Sequence, residues 1–368
     1  MRNVFKHRYG VVLALLLTLF VTSGCITPRI GVNWAAVSTA TDSPNIVLAY
    51  NFEVLQVDPR SGNLAELVNA DGETRFDPQT GQARRWIVNG QTAENAQFFS
   101  APLTLAAETL LLPEYTGRLV EVETATARII NPNKGVLAGR VLTTPTRDDE
   151  RLYFALETGV EALNAQTLEQ EWFVPTQNGV WATPTLHEGV VYFTSMDHYL
   201  YAIDAVTGDT LWKRDLGGAA ASSPLVSTEG DSTVLYVGTF ARKLVKFDLE
   251  GRVMNEYTTV DWVWSTPVLF DGTLYAADLA GYVYALNPAD LSEIWKVQAT
   301  SRGIRPSPLV TGDYVIVAAR DGLVKWLNRQ DGATVYERNA EAEVLSELLL
   351  IEPSDALNLP QPLVIVST

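Results

Sequence analysis

Residues with catalytic potential are sparse in this chain of 368 residues. Two of its three histidines, His187 and His198, lie where the sequence indicates turns, and its single cysteine, Cys25, is near the N-terminus. No cysteine–histidine set has the spacing of a zinc site, and no histidine is placed to activate a serine. No glycine-rich loop has the phosphate-binding pattern. We therefore predict no catalytic, metal-binding or cofactor-binding residues, and no enzymatic activity.

One acidic cluster, Asp148-Asp149-Glu150, could in principle hold a metal ion. It lies between two apolar segments that are typical of strands, the second of them at 152–155. Polar residues between strands are explained more simply by a solvated β-turn than by a metal site.

A third group of residues suggests binding rather than catalysis. Trp181 and Trp264 stand just before two Thr-Pro pairs, and Trp262 lies two residues before Trp264. Arg302 and Arg305 occupy the corresponding loop further along the chain. Aromatic and arginine side chains on a rigid frame are common anchors for a protein partner, although they could equally fill the inside of the fold. We predict that these five residues form a partner-binding face.

The elements that must position these residues are repeated along the chain. An asparagine or aspartate that ends a strand recurs at Asn164, Asp204, Asp248, Asn287 and Asn328. A small residue followed by proline recurs at Ala101-Pro102, Thr144-Pro145, Thr183-Pro184, Ser223-Pro224, Thr266-Pro267 and Ser307-Pro308. Both registers have a period near 40 residues, with short β-branched and aromatic strands between them. This period predicts an all-β propeller of about eight four-stranded blades, with seven as the alternative and the last blade incomplete or shared.

The segment Tyr201-Ala202-Ile203-Asp204-x-x-Thr207-Gly208-x-x-x-Trp212 resembles the repeat of the PQQ-like β-propellers. That superfamily includes the quinoprotein alcohol dehydrogenases and the outer-membrane assembly lipoprotein BamB. The resemblance extends over roughly residues 100–338 and implies that the tryptophan of each blade packs against the next blade. The chain departs from the pattern at Leu168 and Leu291, which replace the turn glycine, and in the unit around 119–122, which has no tryptophan.

Residues 1–25 have the pattern of a lipoprotein signal peptide. A basic start is followed by an apolar run at 11–21, which is too short to span a bilayer of about 30 Å. Cys25 follows small residues and resembles the acylated cysteine of a lipobox, although Thr22 stands where that motif usually has leucine. An ordinary signal peptide is the alternative. Acylation predicts an exported protein that is anchored to the cell envelope through Cys25.

The remaining chain is predicted to comprise a tether, 26–44, and a single propeller, 45–368. Ile26 follows Cys25 in place of the aspartate that resembles an inner-membrane retention signal, which points to the outer membrane if the organism has one. The formal net charge of −16 argues against partners such as nucleic acid or anionic lipid surfaces. We predict a monomer.

The function predicted from these features is a membrane-anchored, non-catalytic scaffold that binds other cell-envelope proteins, as BamB does. One alternative is a PQQ-dependent dehydrogenase, but the resemblance implies a pair of adjacent cysteines over the cofactor, and this chain has one cysteine. The other alternative is an extracellular sensor of a ligand or glycan, which would use the aromatic residues named above.

Overall fold

A computed structural model describes residues 13–16, 36–39, 45–50, 52–67, 73–90, 97–106, 109–141, 143–230, 232–353, 359 and 361–368. These residues form 31 β-strands. Among them, no helix has the length and apolar character needed to cross a membrane.

The strands, in chain order, are β1 (Leu13–Leu16), β2 (Ala36–Thr39), β3 (Ile46–Tyr50), β4 (Glu53–Val57), β5 (Ile87–Asn89), β6 (Leu103–Ala106), β7 (Thr109–Pro113), β8 (Arg118–Glu123), β9 (Arg128–Val136), β10 (Thr146–Arg147), β11 (Arg151–Leu156), β12 (Gly159–Asn164), β13 (Gln170–Pro175), β14 (Thr185–His187), β15 (Val190–Thr194), β16 (Tyr199–Asp204), β17 (Thr210–Asp215), β18 (Leu225–Glu229), β19 (Ser232–Thr239), β20 (Lys243–Asp248), β21 (Val253–Thr258), β22 (Val268–Phe270), β23 (Thr273–Ala277), β24 (Tyr282–Leu286), β25 (Glu293–Gln298), β26 (Leu309–Val310), β27 (Tyr314–Ala318), β28 (Leu323–Asn328), β29 (Thr334–Asn339), β30 (Leu349–Ile351) and β31 (Leu363–Val366).

Seven four-stranded sheets follow one another along the chain, each made of four consecutive antiparallel strands from β2–β5 to β26–β29. Short turns can join strands in this order because antiparallel neighbours need no crossover. An eighth sheet contains three strands in the order β1-β31-β30. The all-β propeller with an incomplete last blade is therefore confirmed, and the number of complete blades is seven.

Apolar packing on both sides of the eighth sheet closes the ring. Val364 and Val366 of β31 belong to the same buried cluster as Trp326 of blade seven. Leu363 and Ile365 of the same strand pack with Ile46 and other residues of blade one. Successive side chains of a strand point to opposite faces, so one strand of four residues contacts both neighbouring blades.

The N-terminal boundaries differ from the predicted ones. β2 is the first strand of blade one, so the ring begins within the segment 26–44 that was predicted to be a tether. The β-branched residues of Ala36–Thr39 suit a strand and explain why pairing starts there. β1 lies within the predicted signal peptide and pairs in parallel with β31. Cys25 lies outside the described residues.

Blade one also contains an insertion between β4 and β5. In it, Glu66 faces Arg85 and Phe76 faces Ala83 in antiparallel bridges. The insertion is therefore an added hairpin. Trp86, directly after it, contacts blade two, where its indole N–H donates to the carbonyl oxygen of Thr124 at 2.7 Å.

The asparagine or aspartate register corresponds to a recurring turn. In blade four, Asp204 Oδ1 accepts the backbone N–H groups of Val206 and Thr207, at 2.9 and 2.8 Å. Asn164, Asn287 and Asn328 accept backbone N–H groups in the same way. Asx side chains stabilise tight turns by such bonds, so this register marks the turn between the third and fourth strands of each blade.

The tryptophan register corresponds to the contact between blades. The indole N–H of Trp172 in blade three donates a hydrogen bond to the carbonyl oxygen of Ala205 in blade four, at 3.0 Å. Gly208 of that turn has a φ of 75°, and a Cβ added to it would lie 2.6 Å from Trp172 Cγ. Trp212 packs on Gly251, and Trp295 packs on Gly332, in the same way. The glycine is needed both for the backbone conformation and for the space that the indole occupies.

The two departures from this pattern follow one rule. Leu168 and Leu291 stand at the glycine position of blades three and six, both with a φ of 60°. Each follows a blade without a docking tryptophan, namely blade two and blade five. Leu291 is buried in the cluster between blades five and six, and Leu168 packs against the cluster between blades two and three. Where the indole is missing, a leucine side chain fills the space.

Blade five adds a polar contact to its neighbour. Lys246 is buried, and its Nζ donates to Glu229 Oε2 at 2.8 Å and to the carbonyl oxygen of Pro288 in blade six at 2.8 Å. Tyr236 also donates to the Pro288 carbonyl oxygen, at 2.9 Å. A buried ammonium requires such partners because burial without them is costly.

Candidate binding site at the channel mouth

The first strands of neighbouring blades contact one another, for example β10 with β14 and β14 with β18, as expected of the strands that line the central channel of a propeller. Hydroxyl groups link these strands at one end of the channel. Oxygens at the small-residue position before proline accept the backbone N–H of the equivalent residue one blade earlier. The pairs are Ala101 to Thr144, Ser223 to Thr266 and Thr266 to Ser307, each at 3.1 Å. The second sequence register therefore marks hydrogen bonds between blades.

The last link in this series is a carboxylate. Ser307 donates its backbone N–H to Glu347 Oε2 at 2.7 Å and its hydroxyl to Glu347 Oε1 at 3.1 Å. Glu347 is open to water within the channel but is surrounded by the ring on its other sides. That burial raises the pKa of Glu347, while the two bonds from Ser307 act in the opposite direction.

We expect Glu347→Gln to change how stability depends on pH. Below the ordinary glutamate pKa, both the folded and unfolded states hold the proton. As the pH rises from there through the raised folded-state pKa, ionisation favours the unfolded chain. The stability of the variant relative to the native protein should therefore increase between about pH 4 and about pH 7. Urea unfolding at both pH values measures this, and a difference that does not depend on pH contradicts it.

A cavity of about 200 Å³ lies at this end of the channel. Its rim contains the residues that stand two positions before a small residue–proline pair. These are Phe99, Trp181, Ala221, Trp264 and Arg305, and Leu345 stands two positions before Glu347 in the same way. Ala36 and Val37, at the start of β2, line the same cavity. We call this end of the channel the mouth.

The tryptophans at the mouth contact one another across blade five. The rings of Trp181 and Trp264 meet edge to face, with centroids 6.0 Å apart. Ala221 stands at the equivalent position between them, and its small side chain leaves room for both indoles. Phe240 stacks on Trp264 at 5.3 Å and, almost parallel, on Trp262 at 4.9 Å. These four aromatic residues form a continuous surface, the aromatic shelf, whose outer end, Trp262, is 47% exposed.

Arg305 joins the shelf to the cavity. Its guanidinium carbon lies 3.9 Å from the centre of the Trp264 ring, which is a cation–π distance. Burial, with a smaller contribution from the neighbouring Arg320, lowers the pKa of Arg305 to about 10. The side chain therefore stays charged at neutral pH.

Four of the five residues predicted to form the binding face are brought together at the mouth, and one is not. The four that lie at the shelf or on the rim of the cavity are Trp181, Trp262, Trp264 and Arg305. The fifth, Arg302, does not line the cavity. Arg302 is exposed on the outer part of the loop. Its carbonyl oxygen accepts the hydroxyl of Thr300 at 2.6 Å.

Phe240 was not identified from the sequence. It lies in the turn between β19 and β20, where its backbone N–H donates to the carbonyl oxygen of Ala219 at 2.8 Å. The equivalent residues of the other blades, identified by the same bond, are Tyr115, Glu157, Met196, Leu279 and Arg320. Among these equivalents Tyr115 is also aromatic, so the residue type at this turn position did not distinguish Phe240.

The other residues considered for chemistry lie apart from the mouth. Asp148 accepts the backbone N–H groups of Glu150 and Arg151 and the hydroxyl of Tyr153, as expected of a turn. His187 ends β14 rather than lying in a turn, and His198 is in a turn with a φ of 79°. Among the residues that the structure describes, no group of three or more histidine, cysteine or acidic side chains could hold a metal ion.

Comparisons with known proteins agree with this architecture. A family model described as "Outer membrane protein assembly factor BamB" matches residues 70–262 and 259–358. BamB of Yersinia pestis is 26% identical over 149 residues, covering 40% of this chain and 36% of that protein. The serine/threonine-protein kinase AfsK of Streptomyces griseus is 27% identical over 175 residues, covering 42% of this chain and 21% of that protein.

A solved structure shows the same fold. The crystal structure of BamB from Moraxella catarrhalis superposes with a TM-score of 0.64 at 18% identity, covering 86% of this chain and 91% of that chain. Against the Yersinia relative, by contrast, the matched part is only 36% of that protein's length. The family model spans most of the propeller, so the chain belongs to the family described as outer membrane protein assembly factor BamB.

Proposed function

We propose that this protein is a non-catalytic scaffold of the cell envelope that binds outer-membrane assembly proteins through the channel mouth. The observation that carries the proposal is the aromatic shelf, in which aromatic rings from blades four, five and six are in contact, with Arg305 at its inner end. An exposed aromatic surface supported by a rigid ring can bind a partner without paying for large rearrangement. The names of the related proteins support the class of partner.

The proposal includes attachment to the membrane through an acylated Cys25. The sequence pattern around Cys25 and the relationship to BamB support this part. Stable anchoring requires more than one acyl chain. In cells that carry the Cys25→Ser variant, the protein should leave the membrane fraction.

We expect Trp262→Ala to abolish the recovery of stoichiometric envelope partners after crosslinking of the full chain in its native cells. Truncation of an aromatic residue that anchors an interface typically weakens binding by about 2 kcal/mol or more, which is roughly thirtyfold. Mass spectrometry of the crosslinked complexes makes the measurement. Trp181→Ala should have a smaller effect because that indole lies deeper in the cavity.

Phe76→Ala is the matched control. Phe76 is 61% exposed but lies in the hairpin inserted in blade one, away from the mouth. This variant should retain every partner. If the native protein is recovered alone, or if both variants lose the same partners, the mouth is not the binding face.

A further inference from the structure

Oxygen atoms line the inner wall of the mouth. Five residues at the small-residue position of successive sheets contact the cavity, namely Thr144, Thr183, Ser223, Thr266 and Glu347. We call these four hydroxyl groups and one carboxylate the oxygen ring. The Thr144 and Thr266 oxygens each accept one backbone N–H, at 3.1 Å, and each keeps a second lone pair. The oxygen ring can therefore accept hydrogen bonds from a donor that enters the cavity.

Glu347 supplies the carboxylate of the oxygen ring, and both of its bonds come from a neutral residue. Ser307 donates its backbone N–H to one oxygen and its hydroxyl to the other, which leaves a further acceptor position on each. Burial raises the pKa of Glu347, and among the described residues no charged side chain contributes to that shift. A neighbouring cation would lower the pKa instead. The carboxylate therefore keeps acceptor capacity, and no cationic side chain of the described chain is paired with it.

Charged side chains surround the mouth, but only two of them, Arg305 and Glu347, line its cavity. Arg305 lies on Trp264 and has further interactions within the chain, so it is already engaged. The neighbouring turns and loops also carry Arg242, Arg302 and Arg320 and the carboxylates Asp197, Asp261, Asp278, Asp321 and Glu343. Each of these five carboxylates accepts a hydrogen bond or forms an ion pair within the chain. The mouth as a whole is mixed in charge, and Glu347 is the carboxylate that its cavity presents.

The size and lining of the cavity favour one slender side chain that ends in several donors. About 200 Å³ is slightly more than the space that holds a single benzene ring, about 150 Å³. The indoles of Trp181 and Trp264 at the rim offer apolar surface to a methylene stem. Oxygens placed around a channel suit the three divergent donors of an ammonium better than the planar fork of a guanidinium. A lysine side chain matches both parts, with its stem at the rim and its ammonium at the oxygen ring.

We infer that the mouth binds a lysine side chain of its protein partner, whose ammonium pairs with Glu347 and donates hydrogen bonds to the hydroxyl groups of the oxygen ring. Apolar residues beside that lysine pack on the exposed Trp262 of the shelf. Arg305 lines the same cavity and opposes the entering charge, so the oxygen ring must outweigh it. This inference rests on the proposed function, because it specifies what the partner presents to the same site.

The test uses the full chain in detergent and three peptides, Gly-Phe-X-Phe-Gly, blocked at both ends, in which X is lysine, acetyl-lysine or glutamate. Affinities are measured by calorimetry and by tryptophan fluorescence. Acetylation removes the charge of lysine and keeps its stem. We expect the lysine peptide to bind about tenfold more tightly than the acetyl-lysine peptide, as a hydrogen-bonded charge pair would give, and the glutamate peptide to bind most weakly. Glu347→Gln should abolish the preference for lysine, and Arg305→Gln should strengthen it.

Two controls keep the test decisive. Glu343→Gln changes a carboxylate of the mouth that is paired with Arg320 outside the cavity, and it should leave the preference unchanged. In the native protein, raising the pH from about 4 to about 7 should strengthen the lysine peptide and not the acetyl-lysine peptide, because Glu347 ionises in that range. This measurement decides the question even if Glu347→Gln fails to fold. Equal binding of the lysine and acetyl-lysine peptides, a preference that survives Glu347→Gln, or no binding of any peptide overturns the inference.

Further outcomes separate this inference from its alternatives. If free butylamine competes as strongly as the lysine peptide, the mouth is a small-molecule site and the inference of a protein lysine is wrong. If the peptides show no preference for lysine but envelope partners are still lost with Trp262→Ala, the proposed function stands and the inference fails. If the preference depends on Glu347 but no envelope partner is recovered from cells, the mouth binds lysine and the proposed function fails.

Discussion

Replacing Gly208 with alanine should lower the free energy of unfolding by about 3 kcal/mol, from overpacking and left-handed strain together. The added Cβ would lie 2.6 Å from Trp172 Cγ, and the backbone φ is 75°. The indole cannot withdraw without losing its hydrogen bond to Ala205. Urea unfolding followed by circular dichroism measures the change.

Gly189→Ala is the matched control for this substitution. Gly189 has a φ of 77°, but no atom lies within 4 Å of its added Cβ. It should cost only the left-handed strain, about 1 kcal/mol. In a Trp172→Ala background, Gly208→Ala should cost no more than Gly189→Ala does. Equal losses for the two glycines in the native background would show that the indole contact is not the cause.

Removing the carboxylate partner of Lys246 should be nearly as costly. Glu229→Ala leaves a buried ammonium with only carbonyl oxygens as partners. The loss of one partner of a buried pair typically costs about 3 kcal/mol or more. Replacing both residues with apolar ones, Lys246→Met with Glu229→Leu, should recover most of that loss. The comparison is made from urea unfolding midpoints.

Strand β20 also carries a solvent-exposed ion pair, which serves as the control. Lys243 pairs with Glu256 at 2.6 Å, and both side chains are about 40% exposed, whereas the Lys246 side chain is 4% exposed. Glu256→Ala should therefore cost less than about 1 kcal/mol. If the exposed and buried pairs cost the same, burial does not determine the strength of the contact between blades five and six.

The ring could be predicted because its contacts between blades repeat with the chain. The asparagine or aspartate turn, the small residue before proline and the docking tryptophan each perform the same local task wherever they recur, so their spacing revealed the architecture. Leu168 and Leu291 were interpreted as departures from the pattern. Each instead compensates for a missing tryptophan in the preceding blade, and that relation becomes visible only when neighbouring blades are seen in contact.

The candidate site was only partly predictable for a related reason. Trp181, Trp264 and Arg305 share a register position, so the sequence could place them together. Phe240 comes from a different register position, and it reaches the shelf because the turn of blade five lies beside the loop of blade six. Contacts between positions that do not share a register depend on the width and twist of the blades, which the spacing does not specify.

The position of β2 has a consequence for how the protein stands on a membrane. Its first residue, Ala36, lies at the mouth, and it stands eleven positions after Cys25 in the chain. A chain of that length can extend at most about 40 Å. An acyl group on Cys25 would therefore hold the mouth within that distance of the lipid headgroups, with the opposite end of the ring free to face outward. A partner that approaches from the bilayer side would meet the shelf first, whereas one that approaches from bulk solution would have to pass around the ring.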